Sequence, residues 1–147
     1  MKSLVRRIGI AAGLLLTAGV PQARAQVTSA VQFTTSFPFA VGYATVPAGT
    51  YTIRRDDDDP SILLLTGEHV GVLFLTDNIE SRDAAAKTEI VFDRYGDGYV
   101  LKDIWMEGST TGAEAMRAEA ERHVAKHADA KSNYRVAALR VDTSKDN

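Results

Sequence analysis

The residues that could do chemistry are few. The chain of 147 residues has three histidines and no cysteine, which removes thiol nucleophiles, thiolate metal sites and disulfides together. A Ser-His-Asp arrangement would have to draw on His69, His123 or His127, and no Gly-x-Ser-x-Gly run is present to hold a serine at a strained turn. His69 falls in the polar stretch Gly67-Glu68-His69 between two apolar runs, the place of a solvated turn residue. His123 and His127 are four apart, so on a helix they share one face and could together hold a metal ion. No Glu follows His123 and no third ligand is evident, so the pair reads as exposed helix surface.

Asp56 to Asp59 bring four carboxylates together, and hard cations want several carboxylate oxygens. A calcium loop, however, alternates its ligands around a glycine turn, and Asp56-Asp57-Asp58-Asp59-Pro60 does neither. The run reads as a solvated acidic turn. Paired carboxylates for glycoside hydrolysis depend on a separation in space that a sequence does not state, and no phosphate-cradling glycine loop occurs. No catalytic residue, no metal ligand and no cofactor is therefore assigned. Arg94-Tyr95 and Trp105 are of the types that anchor interfaces; against that, Tyr99, Leu101 and Trp105 share a parity and so read as core.

These residues must be carried by strands. From Val31 to Val41 the odd positions, Val31, Phe33, Thr35, Phe37, Phe39 and Val41, form an apolar face against polar or small residues at the even positions, the mark of a half-buried strand. Pro38 has no N–H to give, which puts this stretch at a sheet edge or a bulge. Val46-Pro47-Ala48-Gly49 is a turn leading into Thr50 to Arg54, an antiparallel partner for the first strand. Ile62 to Leu65 and Val70 to Leu75 carry apolar side chains on both parities, which predicts two central strands covered on both faces. Asp77 to Ala86 reads as a surface loop, and Ile90 and Phe92 then alternate with Glu89, Val91 and Asp93. Gly96-Asp97-Gly98 joins that strand to Tyr99–Trp105 in a tight hairpin, with the glycines taking positive φ. Thr111-Gly112-Ala113-Glu114 has capping-box spacing and opens a run of good helix formers to Ala130, with Ala113, Met116, Ala120, Val124 and Ala128 as its apolar stripe. Tyr134 to Val141 fits a last strand that rejoins the sheet. The expected fold is mainly β, a curled antiparallel sheet, barrel or sandwich, of about seven strands with one helix over 111–130.

The chain's start has the order of a signal peptide: Lys2, Arg6 and Arg7, then the apolar run Ile8 to Val20, then Ala23-Arg24-Ala25 before a cut. A membrane anchor needs about 20 apolar residues, and Pro21, Gln22 and Arg24 interrupt the run too soon. Arg6-Arg7 raises twin-arginine export, but the general secretory route fits better. The expected organisation is a signal peptide over 1–25, one domain over 26–143 and a disordered tail over 144–147. Cleavage would remove four of the 17 basic residues and none of the 19 acidic ones, taking the formal charge from −2 to −6. An acidic domain with no basic run is unsuited to nucleic acid.

Phe37-Pro38-Phe39-x-Val41-Gly42, then Val46-Pro47-Ala48-Gly49-x-Tyr51, then Phe92-x-Arg94-Tyr95-Gly96-x-x-Tyr99-x-Leu101 leading to Ile104-Trp105, resemble a group of small exported bacterial proteins of unknown function, common in acidobacteria and some other soil bacteria. The resemblance implies export and a compact β-rich domain followed by a charged helix; it transfers no activity and no site residue. Three functions are weighed. The first is a non-enzymatic periplasmic or secreted protein offering a binding or structural surface in the cell envelope, its partner an envelope protein or a small molecule, with no nucleic acid and no membrane span after cleavage. The second is a carrier with an apolar cavity lined by Phe33, Phe37, Phe74 and Phe92. The third is a hydrolase.

Overall fold

A computed structural model describes residues 28–116, 124 and 131–143. Ten strands run through them: β1 (Thr28–Thr35), β2 (Phe39–Val41), β3 (Ala44–Val46), β4 (Gly49–Arg55), β5 (Ile62–Thr66), β6 (Gly71–Glu80), β7 (Glu89–Tyr95), β8 (Gly98–Trp105), β9 (Thr111–Ala115) and β10 (Lys131–Thr143). Eight of them lie in the order β8-β7-β10-β1-β4-β5-β6-β9, each antiparallel to its neighbours, and β9 pairs back onto β8 to close a barrel. The expected curled antiparallel sheet is thus a barrel, with more strands than expected. Closure leaves few open edges, and an eight-stranded barrel encloses a space that side chains can fill.

The alternation of the first strand sets the inside. Val31, Phe33 and Thr35 are buried, and β1 pairs β4 with Val31 opposite Ile53 and Phe33 opposite Tyr51. The expected strand to Val41 breaks at Ser36–Pro38, where proline cannot donate to a ladder. Phe39–Val41 resumes as β2 and folds back on β3 through Gly42, whose φ of 56° favours glycine. This short hairpin bridges β8 in parallel at Ala40–Val100, while Gly42 lies against Phe74 of β6. It therefore spans the place where β9, paired to β6 only from Thr76 to Glu80, does not reach.

Two expectations are corrected along β6 and β9. Asp77–Glu80, expected in a loop, continues β6, because Thr111–Ala115 pairs with it residue by residue. Thr111–Ala115 is in turn a strand, not the first turn of a helix. Ala113 and Ala115 are small enough to pack inward between β6 and β8, and that pairing outweighs the helix propensity of a few alanines. Of the rest of the expected helix only Met116 and Val124 are described; 117–123 and 125–130 lie outside the described residues, as do 1–27 with the expected signal peptide and 144–147 with the expected tail. The last strand is longer than expected and central, bonding β7 through Lys131–Ala137 and β1 through Ala138–Thr143.

Gly96, at φ 61°, makes the β7–β8 turn, with Tyr95 opposite Gly98. Gly98 does not share the positive φ; a Cβ there would collide with Val124 Cγ1, so close approach is what requires glycine. Further along, the register slips at Val91/Phe92, which pair with Asp103 and Leu101 and leave Lys102 over. This irregularity changes the parity of β8. Leu101 and Ile104 both join the core cluster, and Trp105, expected inside with Leu101, is only partly buried and packs over Gly112.

The core is aromatic at its centre. Phe33 meets Phe39, Tyr51 and Phe92 at ring separations of 6.1, 6.0 and 6.2 Å, and Phe39 meets Phe92 at 5.1 Å. Phe37, Tyr99 and Tyr134 form a second layer, with Phe37 stacked on Tyr99 at 3.8 Å. Tilted and edge-on pairs of this kind add to the burial energy of the rings.

Candidate functional site

The sequence-derived candidates are dispersed and engaged. His69 is exposed in the β5–β6 turn, its Nε2 3.6 Å from Glu68; His123 and His127 lie outside the described residues. In the acidic turn, Asp56 accepts hydrogen bonds from the amides of Asp58 and Asp59, and Asp59 accepts from the hydroxyl and amide of Ser61. Those bonds hold the Asp59 carboxyl below the usual carboxylate range, the hydroxyl contributing most. Arg94 donates through Nε to the Gly96 carbonyl at 2.8 Å and lies 5.6 Å from the Tyr99 ring centre, while Tyr95 is buried with Ala40 and Val100. These bonds tie Arg94 to its own hairpin.

Of the four phenylalanines expected to line a cavity, Phe33 and Phe37 both pack on Phe92, at 6.2 and 5.4 Å, and Phe74 is buried beneath Gly42.

Buried acids that the sequence analysis did not single out stand on β7 and β8. Glu89, Asp93 and Asp103 are all nearly inaccessible. Glu89 is bonded to Arg135 and lies 3.5 Å from Lys87, and Asp103 lies 3.3 Å from Lys102. Pairing of this kind is how a sheet carries the buried charges of Glu89 and Asp103.

The feature that stands out is apolar and outside. Along β5 and β6 one parity points in, as Leu63, Leu65 and Phe74, and the other points out. Leu75 stands opposite Ile62 and Leu73 opposite Leu64. The expectation that both faces would be covered is corrected here: Leu73 is 62% exposed and Leu75 50%. Met116 joins them because its amide donates to the Leu75 carbonyl at 2.9 Å. With Gly42, Tyr43, Ile62 and Phe74 these residues line a groove of about 340 Å³. That is within the size of small-molecule sites, and its walls offer apolar contact and the rings of Tyr43 and Phe74.

Elsewhere on the barrel's outside, β1 and β4 present Gln32, Thr34, Thr50, Thr52 and Arg54, while β10 exposes Tyr134 and Leu139. The groove is a local apolar patch on the barrel's outside. Its sequence signal was present in the double-parity apolar runs, but such runs look alike whether the second face is covered by the same chain or left open for another.

Comparison with protein-family models, with curated proteins and with solved structures gives no match for this chain.

Proposed function

We propose that the protein is an exported, non-enzymatic binding protein of the cell envelope, periplasmic or secreted, that holds apolar groups of a partner in the groove between the β2–β3 turn, β6 and Met116. The observation that carries this reading is the grouping of Leu73, Leu75 and Met116, each at least half exposed, around one groove. Fully burying one such side chain is worth roughly 1.5–3 kcal/mol, so leaving three together in water is a cost that a partner would remove. Export is supported by the charged, apolar and small-residue order of residues 1–25, and grouping with small exported bacterial proteins by the three aromatic and glycine motifs.

A carrier with an interior ligand would need the volume that Phe33, Phe37, Phe39 and Phe92 fill, and a hydrolase would need converging polar groups where the groove has leucine and methionine. The test is titration of the full chain with the neutral apolar dye Nile red. Wild type should bind with enhanced fluorescence, and Leu73→Thr with Leu75→Thr should weaken binding about tenfold, the equivalent of about 1.4 kcal/mol. Binding unchanged by both substitutions would place the apolar site elsewhere.

A further inference from the structure

We propose that the occupant of this groove is a cationic apolar peptide segment of a partner protein. The inference rests on the reading of the groove as the binding surface and adds the chemistry of what binds. Residues two apart on a strand share a face, so the outside of the barrel here is written in rows. One row is Met116, Leu75 and Ile62, with Leu73 and Leu64 below it. The next row above is acidic: two residues on from Leu75 comes Asp77, opposite Glu114, which stands opposite Asp103 of β8.

The Ile62 end is acidic too. The Asp56 amide donates to the Ile62 carbonyl at 2.9 Å and the Ile62 amide to the Asp59 carbonyl at 3.0 Å, which fastens the aspartate turn to the groove's end. Asp56 and Asp59 are engaged within that turn, while Asp57, Asp58 and Asp77 stand exposed. Among the described residues the named acids outnumber the cations beside them: Arg54 lies on β4 opposite Leu64, Arg55 is bonded to the Pro60 carbonyl of the aspartate turn, and Lys102 sits against Asp103.

Apolar rows bounded by carboxylates select for a ligand that offers both an apolar side chain and a positive charge. The same rim disfavours the other occupants. An isologous second copy would set a closely similar acidic rim against this one, and an anionic bilayer would meet like charge.

The test uses the full chain and two probes, a short peptide of leucine and lysine and the same peptide with glutamate in place of each lysine, followed by amide-resolved NMR. The lysine peptide should shift the amides of Leu73, Leu75 and Met116 and bind at least about tenfold more tightly than the glutamate peptide, with the gap shrinking as salt is added. Asp77→Asn with Asp57→Asn and Asp58→Asn should narrow the gap about threefold while leaving the melting temperature in place. Equal affinities, or a gap that ignores those three acids, overturn the inference; if Nile red still binds through Leu73 and Leu75, the reading of the groove survives without it. Groove amides unmoved by Nile red and by both peptides overturn both readings. Concentration-dependent self-association through the groove, or binding of phosphatidylglycerol vesicles there, overturns the peptide assignment in favour of a second copy or a membrane.

Discussion

The backbone N–H of Met116 donates to the carbonyl of Leu75 across 2.9 Å, and this bond carries β9 one residue past its last paired position so that the thioether stands beside leucine on the outside of the barrel. Because the bond is made by the backbone, the side chain can be changed without undoing it. Met116→Ala is expected to weaken Nile red binding about threefold and to change unfolding free energy by no more than about 0.5 kcal/mol, the range of surface substitutions. Fluorescence titration and urea unfolding of the variant measure the two effects separately.

Gly112 is required by Trp105. A Cβ at Gly112 would lie 2.8 Å from the indole Cε3 and 3.0 Å from the Ile104 carbonyl, so ring and backbone both resist it. Gly112→Ala should cost about 1–3 kcal/mol. Trp105 is the chain's one tryptophan, so the displaced ring should also change the intrinsic fluorescence of the folded state.

Tyr51 is buried, and its hydroxyl donates to the Pro47 carbonyl at 2.6 Å. Burial pushes its pKa above the ordinary tyrosine value. The neutral form is thus favoured in the folded state, and the stability this contributes is whole below the ordinary tyrosine pKa of about 10 and is lost as pH rises from there through the raised folded value. Tyr51→Phe should cost about 0.5–1.5 kcal/mol at neutral pH and flatten part of the alkaline loss. Urea unfolding of both proteins across the alkaline range checks it.

Thr35 points its hydroxyl into the core, where it has no hydrogen-bond partner among the described residues. Valine has the same shape without the polar atom. Thr35→Val should therefore leave stability unchanged or raise it by up to about 1 kcal/mol, whereas a hydroxyl bonded in the core would make the substitution destabilising.

Much of the barrel could be read from side-chain parity. Val31 and Phe33 against Gln32 and Thr34, and Ile90 against its neighbours, give inward and outward faces wherever a strand is regular. Gly96-Asp97-Gly98 gives its hairpin because the turn takes positive φ at Gly96. Reading failed where a partner strand decides the outcome. Asp77–Glu80 and Thr111–Ala115 are a polar stretch and a helix-prone stretch taken singly, and each is a strand because the other lies beside it. The irregularity at Lys102 left no mark in composition, yet it turned Trp105 outward. Most of the groove was hidden for a related reason: Leu73 and Leu75 look like buried residues in any window, and Met116 was placed on a helix, so only the closed sheet shows that their face is open.

The most direct measurement is an amide-resolved NMR titration of the full chain with Nile red. Shifts should be confined to the β2–β3 turn at Gly42 and Tyr43, to Ile62, to Leu73–Leu75 and to Met116, with the amides of Phe33, Phe92 and Leu101 unmoved. Shifts centred on Phe33, Phe92 and Leu101, with the groove silent, would contradict the outer site and mean that the barrel opens to hold its ligand inside.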